Sequence, residues 1–504
     1  MKRLMTCRQV RQFSRSLWED ASGVILPYVT LLLVVIIGTG LLALDGARLV
    51  GLQTQLQNAA DAYALAGAAE LDRLPDAIDR ANQAIDVLLK NRNSQNVGGG
   101  AEFVTVARRR FLSFLPASDK PVTSIDETSD PTLARFIEVT ITPVAMNTIM
   151  PAAFLKLVST VSAGAQAVGG YDQVLCNAAP LLVCNPFEEV GMPHYEATQA
   201  LLSASKNPTG QRKLIRLART RNKNDRYGPG DFGYPSPVTG SLPEEACGPN
   251  AAGGMPQALA ANQAPACFKM SGIDLQSGND QLAMEGLNTR FDIYANSFSS
   301  CTNYPADQNV RKGYSTVGNA NWCNATPSAG NWPIANPNAT PLPIDENMSA
   351  MDQNGRQVLN TDVRLGDGTW DCEAYWSEAH PARFGHAAPA GCTPTATISR
   401  YDVYQYEIGS NYLYDRSLGA ETGAPQCNRR SSANRRILYG AIVNCLSSPV
   451  IVQGNARNVP VVAFGKFFLV LPATKETNNN IYAELIGLIK PSDHLTYDSV
   501  QLQR

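Results

Sequence analysis

The residues whose spacing carries the most chemical information are the cysteines, of which this 504-residue chain has 11. Cys7 precedes the one long apolar stretch, and the other ten follow it. An even set on one side of such a stretch, with a lone thiol on the other, indicates two redox compartments and disulfide bonds in the second. The candidate disulfide cysteines are Cys176, Cys184, Cys247, Cys267, Cys301, Cys323, Cys372, Cys392, Cys427 and Cys445.

The connectivity of these ten cysteines is open, because they allow about 945 pairings. We predict neighbour pairing, since each intervening stretch is loop-like and short loops close at the lowest entropic cost. The predicted pairs are Cys176/Cys184, Cys247/Cys267, Cys301/Cys323, Cys372/Cys392 and Cys427/Cys445. Buried free thiols in a cytosolic protein are the alternative. A zinc site is not expected, because no C-x-x-C occurs and no histidine stands at ligand spacing from a cysteine.

Side chains that commonly catalyse reactions form no known motif in this sequence. The G-x-S-x-G, H-E-x-x-H and P-loop patterns are absent. Asp362, Asp367 and Asp371 surround two glycines, but their spacing is not that of an EF-hand and predicts a turn. The histidines lie in loop-like contexts near prolines and are expected to be exposed; they are His194, His380, His386 and His494. We therefore expect no enzyme, no metal and no cofactor.

Basic residues are concentrated in two places along the chain. The first cluster is Arg212, Lys213, Arg216, Arg219, Arg221, Lys223 and Arg226, and the second is Arg429, Arg430, Arg435 and Arg436. A solvated helix face or strand edge is the main interpretation, and a contact with an anionic protein or with lipid headgroups is the alternative. The formal net charge of -2 makes a nucleic-acid partner unexpected.

The element expected to position the whole chain is the apolar segment Val24–Leu44, which contains no charged residue and is about 30 Å long as a helix. The cations before it are Lys2, Arg3, Arg8, Arg11 and Arg15, and only Arg48 follows it closely. By the positive-inside rule, the N-terminus is cytoplasmic and the rest of the chain is on the other side. We expect a single-pass membrane protein whose bulk is extracytoplasmic.

The helix is expected to continue beyond the membrane through Asp45–Leu71, to a total of about 70 Å. Its apolar stripe would be formed by Leu49, Leu52, Leu56, Ala59, Tyr63 and Ala66. Asp45 and Arg48 stand at a spacing that allows an ion pair along the helix. The glycines Gly38, Gly40, Gly46 and Gly51 are predicted to flatten one side, on which other helices would dock.

Residues 20–71 resemble the N-terminal domain of TadG-like proteins of the tight-adherence (Flp) pilus machinery. The matching stretches are Asp20–Gly23, Asp45–Arg48 and Leu56–Ala68. The resemblance implies a membrane-anchored structural or assembly component. Its partners would be other Tad/Flp membrane proteins, pilin-like helices and inner-membrane lipids. The helix-docking candidates are Gly38, Gly40, Asp45, Gly46, Arg48 and Asp61.

The sequence departs from this family in two ways. Gly23 is followed five residues later by Tyr28 instead of glutamate, which argues against cleavage by a prepilin peptidase. No Asp-x-Ser-x-Ser motif occurs, so neither a von Willebrand A domain nor its magnesium ion is expected. A membrane-anchored adhesin-like ligand-binding module is the alternative function, followed by a tethered periplasmic enzyme.

The predicted fold class is α+β. The expected segments are a cytoplasmic leader (1–23), the transmembrane helix (24–44), a helix extension with a pilin-like helix-plus-antiparallel-sheet region (45–170) and a strand-cored, loop-rich, disulfide-stapled domain (171–504). A further helix is predicted at 76–90. Strands are predicted at 103–114, 135–143, 156–168, 437–444, 459–472 and 481–490. Whether the protein joins the fibre or remains in the membrane is left open.

Overall fold

The computed structural model describes residues 25–88, 92–93, 102–113, 115, 127–149, 160–205, 212–218, 225–236, 255–261, 267–276, 280–294, 298–299, 303–311, 341–351, 357–360, 362–413, 423–425, 427, 431–448, 451–473, 480–490 and 493–503. The predicted leader, with Cys7 and Gly23, lies outside these residues. The fold class is α+β, as predicted from the sequence.

The helices are α1 (Ile25–Ala68), α2 (Ala77–Val87), α3 (His194–Ser205), α4 (Met255–Ala260), α5 (Asp280–Asn288), α6 (Cys372–Ala379) and α7 (Arg400–Gly409). The strands are β1 (Arg92–Asn93), β2 (Glu102–Phe103), β3 (Val106–Leu112), β4 (Phe136–Ile141), β5 (Val144–Asn147), β6 (Thr160–Ala163), β7 (Gln166–Cys176), β8 (Leu182–Cys184), β9 (Leu214–Leu217), β10 (Phe232–Pro235), β11 (Cys267–Lys269), β12 (Leu275–Gln276), β13 (Ala306–Asp307), β14 (Ser349–Met351), β15 (Gln357–Leu359), β16 (Ser431–Ser432), β17 (Ile437–Val443), β18 (Ala463–Leu471), β19 (Ile481–Leu488) and β20 (Thr496–Leu502).

A five-stranded antiparallel sheet, here called sheet A, packs against the second half of α1. Its central strand β7 pairs with β4 and β11 on one edge and with β20 on the other, and β3 follows β4. The core between helix and sheet contains Leu52, Leu56 and Tyr63 from α1 and Ile137 and Val139 from β4, all buried. Helix α2 covers part of the same core through Ala81 and Ile85.

A seven-stranded sheet, here called sheet B, forms the centre of the second half of the chain. Its strand order is β12-β10-β8-β17-β18-β19-β9, and neighbouring strands are antiparallel except for β8 and β17, which are parallel. One face packs against α3, α4 and α5 through residues such as Leu201 and Met284. On the other face, α6 and α7 contribute Tyr375 and Tyr404, which pack with Phe468 of β18.

The predicted domain boundary near residue 170 falls inside strand β7. The amino-acid composition changes there, because cysteine, proline and asparagine become frequent. Sheet A nevertheless takes β11 and β20 from residues far beyond that point. The two regions therefore share a sheet, and composition did not mark where the sheet ends.

Three disulfide bonds have both cysteines among the described residues, and two of them contradict neighbour pairing. Cys176 bonds Cys267, and Cys184 bonds Cys445. These pairs are side by side in the sheets, since Cys176 lies opposite Cys267 and Cys184 opposite Val443, so strand pairing and not loop length selects them.

The remaining cysteines are only partly described. Cys372 and Cys392 form the third bond, which is a neighbour pair. Cys427 is also disulfide-bonded, and not to Cys445, so the predicted Cys427/Cys445 pair is wrong. Cys247, Cys301 and Cys323 lie outside the described residues.

Most predicted strands coincide with observed ones. The segments 103–114 and 135–143 contain β3 and β4, and 437–444, 459–472 and 481–490 contain β17, β18 and β19. The segment 156–168 contains β6 and the start of β7, and part of it is outside the described residues. The helix predicted at 76–90 is α2.

Candidate functional site

The first half of α1 is an uncovered apolar surface. Its large hydrophobic side chains from Leu26 to Leu44 are exposed. Among the described residues, one helix, over Leu26–Ala68, is long and apolar enough to cross a membrane, with a mean hydropathy of 2.3 in its most apolar window. Nothing in the described part of the chain packs on that window.

The second half of α1 is held tightly against sheet A. Gly169 of β7 lies so close to the helix that an added Cβ would be 2.3 Å from the carbonyl oxygen of Ala64. Gly67 is similarly enclosed, since a Cβ there would be 2.9 Å from side-chain atoms of Ile85 and Ile137. The apolar stripe predicted for docking other helices is therefore used mainly inside this chain, where Leu52 and Leu56 are fully buried.

The junction between the two halves of α1 is fixed by Asp45 and Arg48. The backbone N–H of Ile149 donates to Asp45 Oδ1 at 2.8 Å, and Arg48 donates to the carbonyl oxygen of Asn147 at 3.2 Å. Asp45 and Arg48 also form the predicted ion pair, with 3.7 Å between Oδ1 and the guanidinium nitrogen. These two docking candidates thus hold the end of strand β5 to the helix where the apolar span ends.

The four glycines do not lie on one side of α1, which corrects the prediction that they flatten a single face. Gly40 and Gly51 are about three turns apart and share a side that points more than about 100° away from sheet A. Gly38 lies close to the direction of Leu52, which faces the sheet, and Gly46 lies between the two sides. A Cβ at any of these glycines would meet nothing within 4 Å.

Asp61, the last docking candidate, has a local partner. Gln57 donates to Asp61 Oδ1 at 2.8 Å, one helical turn earlier, and also to the carbonyl oxygen of Gln166 in β7. This contact ties the helix to sheet A.

The described residues of the second basic cluster, Arg435 and Arg436, do not form a charged surface. Arg435 and Arg436 are fully buried. Arg436 donates to the carbonyl oxygens of Leu469 and Val470 at 2.9 Å, and its guanidinium lies 4.7 Å from the ring of Phe468. Burial lowers the pKa of Arg436, which Asp307 partly offsets. Arg429 and Arg430 lie outside the described residues.

The first basic cluster is divided between interior and surface. Arg212 and Arg216 are buried, and they donate to Ser399 Oγ and to the carbonyl oxygen of Val363, each at 3.0 Å. Lys213 and Arg226 are exposed, and Arg226 donates to the carbonyl oxygen of Leu446 at 2.6 Å. The prediction of a solvated face is therefore wrong for Arg212 and Arg216, while Arg219, Arg221 and Lys223 lie outside the described residues.

Sequence reasoning missed a buried polar cluster around Glu407 of α7. The carboxylate accepts hydrogen bonds from the Tyr375 hydroxyl at 2.5 Å and from Asn309 at 2.5 Å, and Arg311 lies 3.0 Å away. His380 Nε2 is 2.9 Å from the same carboxylate. Burial by itself raises the pKa of Glu407, but Arg311, His380 and Tyr375 together lower it to about 2.

His380 is buried, which contradicts the expectation that the histidines are exposed. Its Nδ1 lies 2.9 Å from Nδ1 of His386, and its ring is tilted against Trp376 with 4.0 Å between centroids. Because Glu407 is inaccessible and satisfied on several sides, the cluster is equipped to hold α6 and α7 together, not to meet a substrate. The described residues contain no group of three or more metal-binding side chains.

Two of the three aspartates around the glycine turn accept local backbone hydrogen bonds. Asp371 caps α6 by accepting from the N–H of Ala374 at 2.8 Å, and Asp367 accepts from the N–H of Thr369 at 2.9 Å. Both bonds belong to local turns. They agree with the predicted turn.

Comparison with known proteins gives one match, and it falls on α1. No curated protein and no solved structure matches the chain. Residues 23–70 match the Tad family of Flp pilus-assembly, TadE/G-like domains. Helix α1, with one exposed apolar half and one half packed on sheet A, therefore corresponds to a Tad domain. Over these residues the chain is similar to TadE/G-like proteins.

Proposed function

We propose that the protein is a membrane-anchored structural or assembly component of a Tad (Flp) pilus machine, with no enzymatic activity. The observation that carries the proposal is the division of the Tad-matching helix into an exposed apolar half and a half buried against sheet A. Such a helix holds the folded domain at a fixed distance from the bilayer. A flexible tether would not do so.

The proposed orientation places the N-terminus in the cytoplasm and the remainder in the periplasm. The excess of Lys and Arg before Val24 supports it. The disulfide bonds Cys176–Cys267 and Cys184–Cys445 support it independently, because such bonds persist in oxidising compartments.

The proposed partners are other Tad/Flp membrane proteins, whose helices would pack on the side of α1 that carries Gly40 and Gly51. Small residues allow helix backbones to approach closely in a membrane. At Gly51 this side is free because sheet A packs on the opposite side of the helix, and within the apolar span no described residue packs on either side.

The test is the substitution Gly40→Leu, with Gly38→Leu, about 160° away around the helix, as the matched control on the opposite side. Neither side chain would collide with the chain's own atoms, so both variants should insert and fold. We expect Gly40→Leu to reduce co-purification with Tad-machine membrane proteins several-fold, while Gly38→Leu keeps it. Equal recovery of partners with both variants would contradict docking on this side.

Orientation is tested separately by reporters fused after Arg504. We expect a reporter that is active only after export to be active there, and a reporter that works only in the cytoplasm to be inactive. The opposite pattern would reject the proposed topology whatever the docking experiment shows.

A further inference from the structure

Sheet A contains a pocket of about 440 Å³ on the face turned away from α1. Successive residues of a strand point to opposite faces, and Gly169 faces the helix, so Gly170, Asp172 and Val174 face the pocket. Strand β20 supplies Ser499 and Gln501 beside them. This volume lies in the range of small-molecule sites.

The pocket exists because two strands share one edge of β7 and leave a gap between them. Strand β4 pairs as far as Gly170, opposite Phe136, and β11 begins its pairing at Val174, opposite Lys269. Gly170 keeps the floor low, because a Cβ there would lie 2.7 Å from the ring of Phe136. The disulfide bond Cys176–Cys267 fixes β11 next to the gap.

The charge around the gap is unbalanced. Arg135 and Arg73 donate to the backbone carbonyl oxygens of Ser271, Val461 and Met270. Within the described residues, neither arginine makes an ion pair at 4.0 Å or less. Burial lowers the pKa of Arg135 to about 10, although Asp172 opposes the shift. Burial and then Arg135 lower the pKa of Arg73 well below its ordinary value.

Asp172 raises the pKa of both arginines and so offsets part of their charge, but it is one carboxylate beside two guanidinium groups. Its two carboxylate oxygens accept from the N–H and the hydroxyl of Ser271, both at 2.8 Å. Lys269 adds a further positive charge to the lining. A buried cation without a close counter-ion costs free energy, and a bound anion would remove that cost.

The remaining lining suits a ligand that carries hydroxyl groups. Ser499, Gln501 and Gln503 offer hydroxyl and amide groups that both donate and accept, and the Phe136 ring offers a flat apolar surface. An acidic sugar carries a carboxylate, several hydroxyl groups and an apolar C–H face. These groups match the Arg135 guanidinium, the polar side chains and the Phe136 ring, respectively. We propose that this pocket binds an acidic sugar, with its carboxylate on Arg135 and its hydroxyls on the β20 side chains.

The pocket is too far from the bilayer to take a lipid headgroup of the membrane that α1 enters. Its floor lies level with Ala64, which packs on Gly169, and Ala64 is about 30 Å along the helix from Leu44. A soluble or polymeric sugar is therefore the occupant, independently of any role in a pilus.

The test is calorimetric titration of the oxidised full-length protein in nanodiscs with D-galacturonate, D-galactose and inorganic phosphate. We expect saturable binding of D-galacturonate that is at least tenfold tighter than binding of either other probe. Absence of saturable galacturonate binding would overturn the proposal. Phosphate binding as tight as galacturonate binding would overturn the assignment to a sugar.

Variants locate the site. Arg135→Gln should weaken galacturonate binding at least tenfold, and Gln501→Ala, on the exposed edge strand, should weaken it several-fold without touching the core. Arg108→Gln, an exposed arginine on β3 of the same sheet, is the control and should bind as the parent does. Parent-like binding by both Arg135→Gln and Gln501→Ala would overturn the proposed location.

Discussion

At the scale of single residues, buried ionic groups distinguish this protein. Arg400 lies between two buried carboxylates, donating to Asp345 at 2.5 Å and to Glu484 at 2.9 Å. Glu407 gathers Arg311, His380 and Tyr375 around one carboxylate. Removing one partner of such a cluster costs more stability than the intact cluster contributes, because the other charge is left buried and unpaired.

Glu407→Gln should therefore destabilise the fold by about 3 to 5 kcal/mol at pH 7, because Arg311 loses its counter-ion. Glu373→Gln, an exposed carboxylate on α6, is the matched control and should change stability by less than about 1 kcal/mol. Urea unfolding of the oxidised protein measures both. Equal effects would mean that the Glu407 charge contributes nothing specific.

The same residue predicts a dependence of stability on pH. The pKa of Glu407 is lowered from 4.5 to about 2 on folding, so its stabilisation is present above the unfolded value and is lost as the pH falls from about 4.5 to about 2. The shift corresponds to about 3 kcal/mol. We expect the parent to lose more stability than Glu407→Gln between pH 5 and pH 2.5, and parallel curves would contradict this.

These residues were not predictable from the sequence. Arg435 and Arg436 stand in a polar stretch and His380 stands next to Pro381, and in both places charge and composition predict exposure. Each is buried because strands and helices from distant segments supply carbonyl oxygens and carboxylates around it, as Leu469 and Val470 do for Arg436. Local patterns contain no record of such long-range partners.

At the scale of elements, α1 and β7 are in close contact at Gly169. Gly169→Ala should force the helix and sheet apart, because the new Cβ would lie 2.3 Å from the Ala64 carbonyl oxygen. We expect a loss of about 1 to 3 kcal/mol. Gly164→Ala is the control, since its Cβ would be 3.7 Å from the nearest atom and should be tolerated. A thermal unfolding comparison that ranks Gly164→Ala as the worse variant would refute the close packing.

Elements with strong local patterns were the predictable ones. The apolar runs in 437–444 and 481–490 and the uncharged run Val24–Leu44 each correspond to an observed strand or helix. Strand β20 was not predicted, because Thr496–Leu502 alternates weakly and is paired along one edge only. The strand forms because it pairs with β7, and the sequence of β20 alone does not indicate this pairing.

At the scale of the whole molecule, disulfide bonds connect segments far apart in sequence. Cys184 and Cys445 are 261 positions apart, while Cys372 and Cys392 are 20 apart. In the chain-entropy model the longer loop stabilises by about 5.5 kcal/mol and the shorter by about 3.3 kcal/mol. The order of the two stabilisation energies depends only on loop length.

The double variant Cys184→Ala with Cys445→Ala should therefore unfold at a lower urea concentration than Cys372→Ala with Cys392→Ala. Cys184, Cys372 and Cys445 are fully buried and Cys392 is half-buried, so the packing environment differs at one of the four positions. Equal unfolding midpoints would show that loop closure is not what these bonds contribute.

The pairing of β20 with β7 sets the order in which sheet A can be completed during synthesis. Tyr171 and Asp498, which are hydrogen-bonded across β7 and β20, are 327 positions apart. At typical rates of synthesis, about 15 to 65 seconds separate their emergence. During that interval α1 has already been synthesised, but one edge of β7 has no partner strand. The nascent chain exposes that edge to pairing with strands of other chains until β20 has been synthesised.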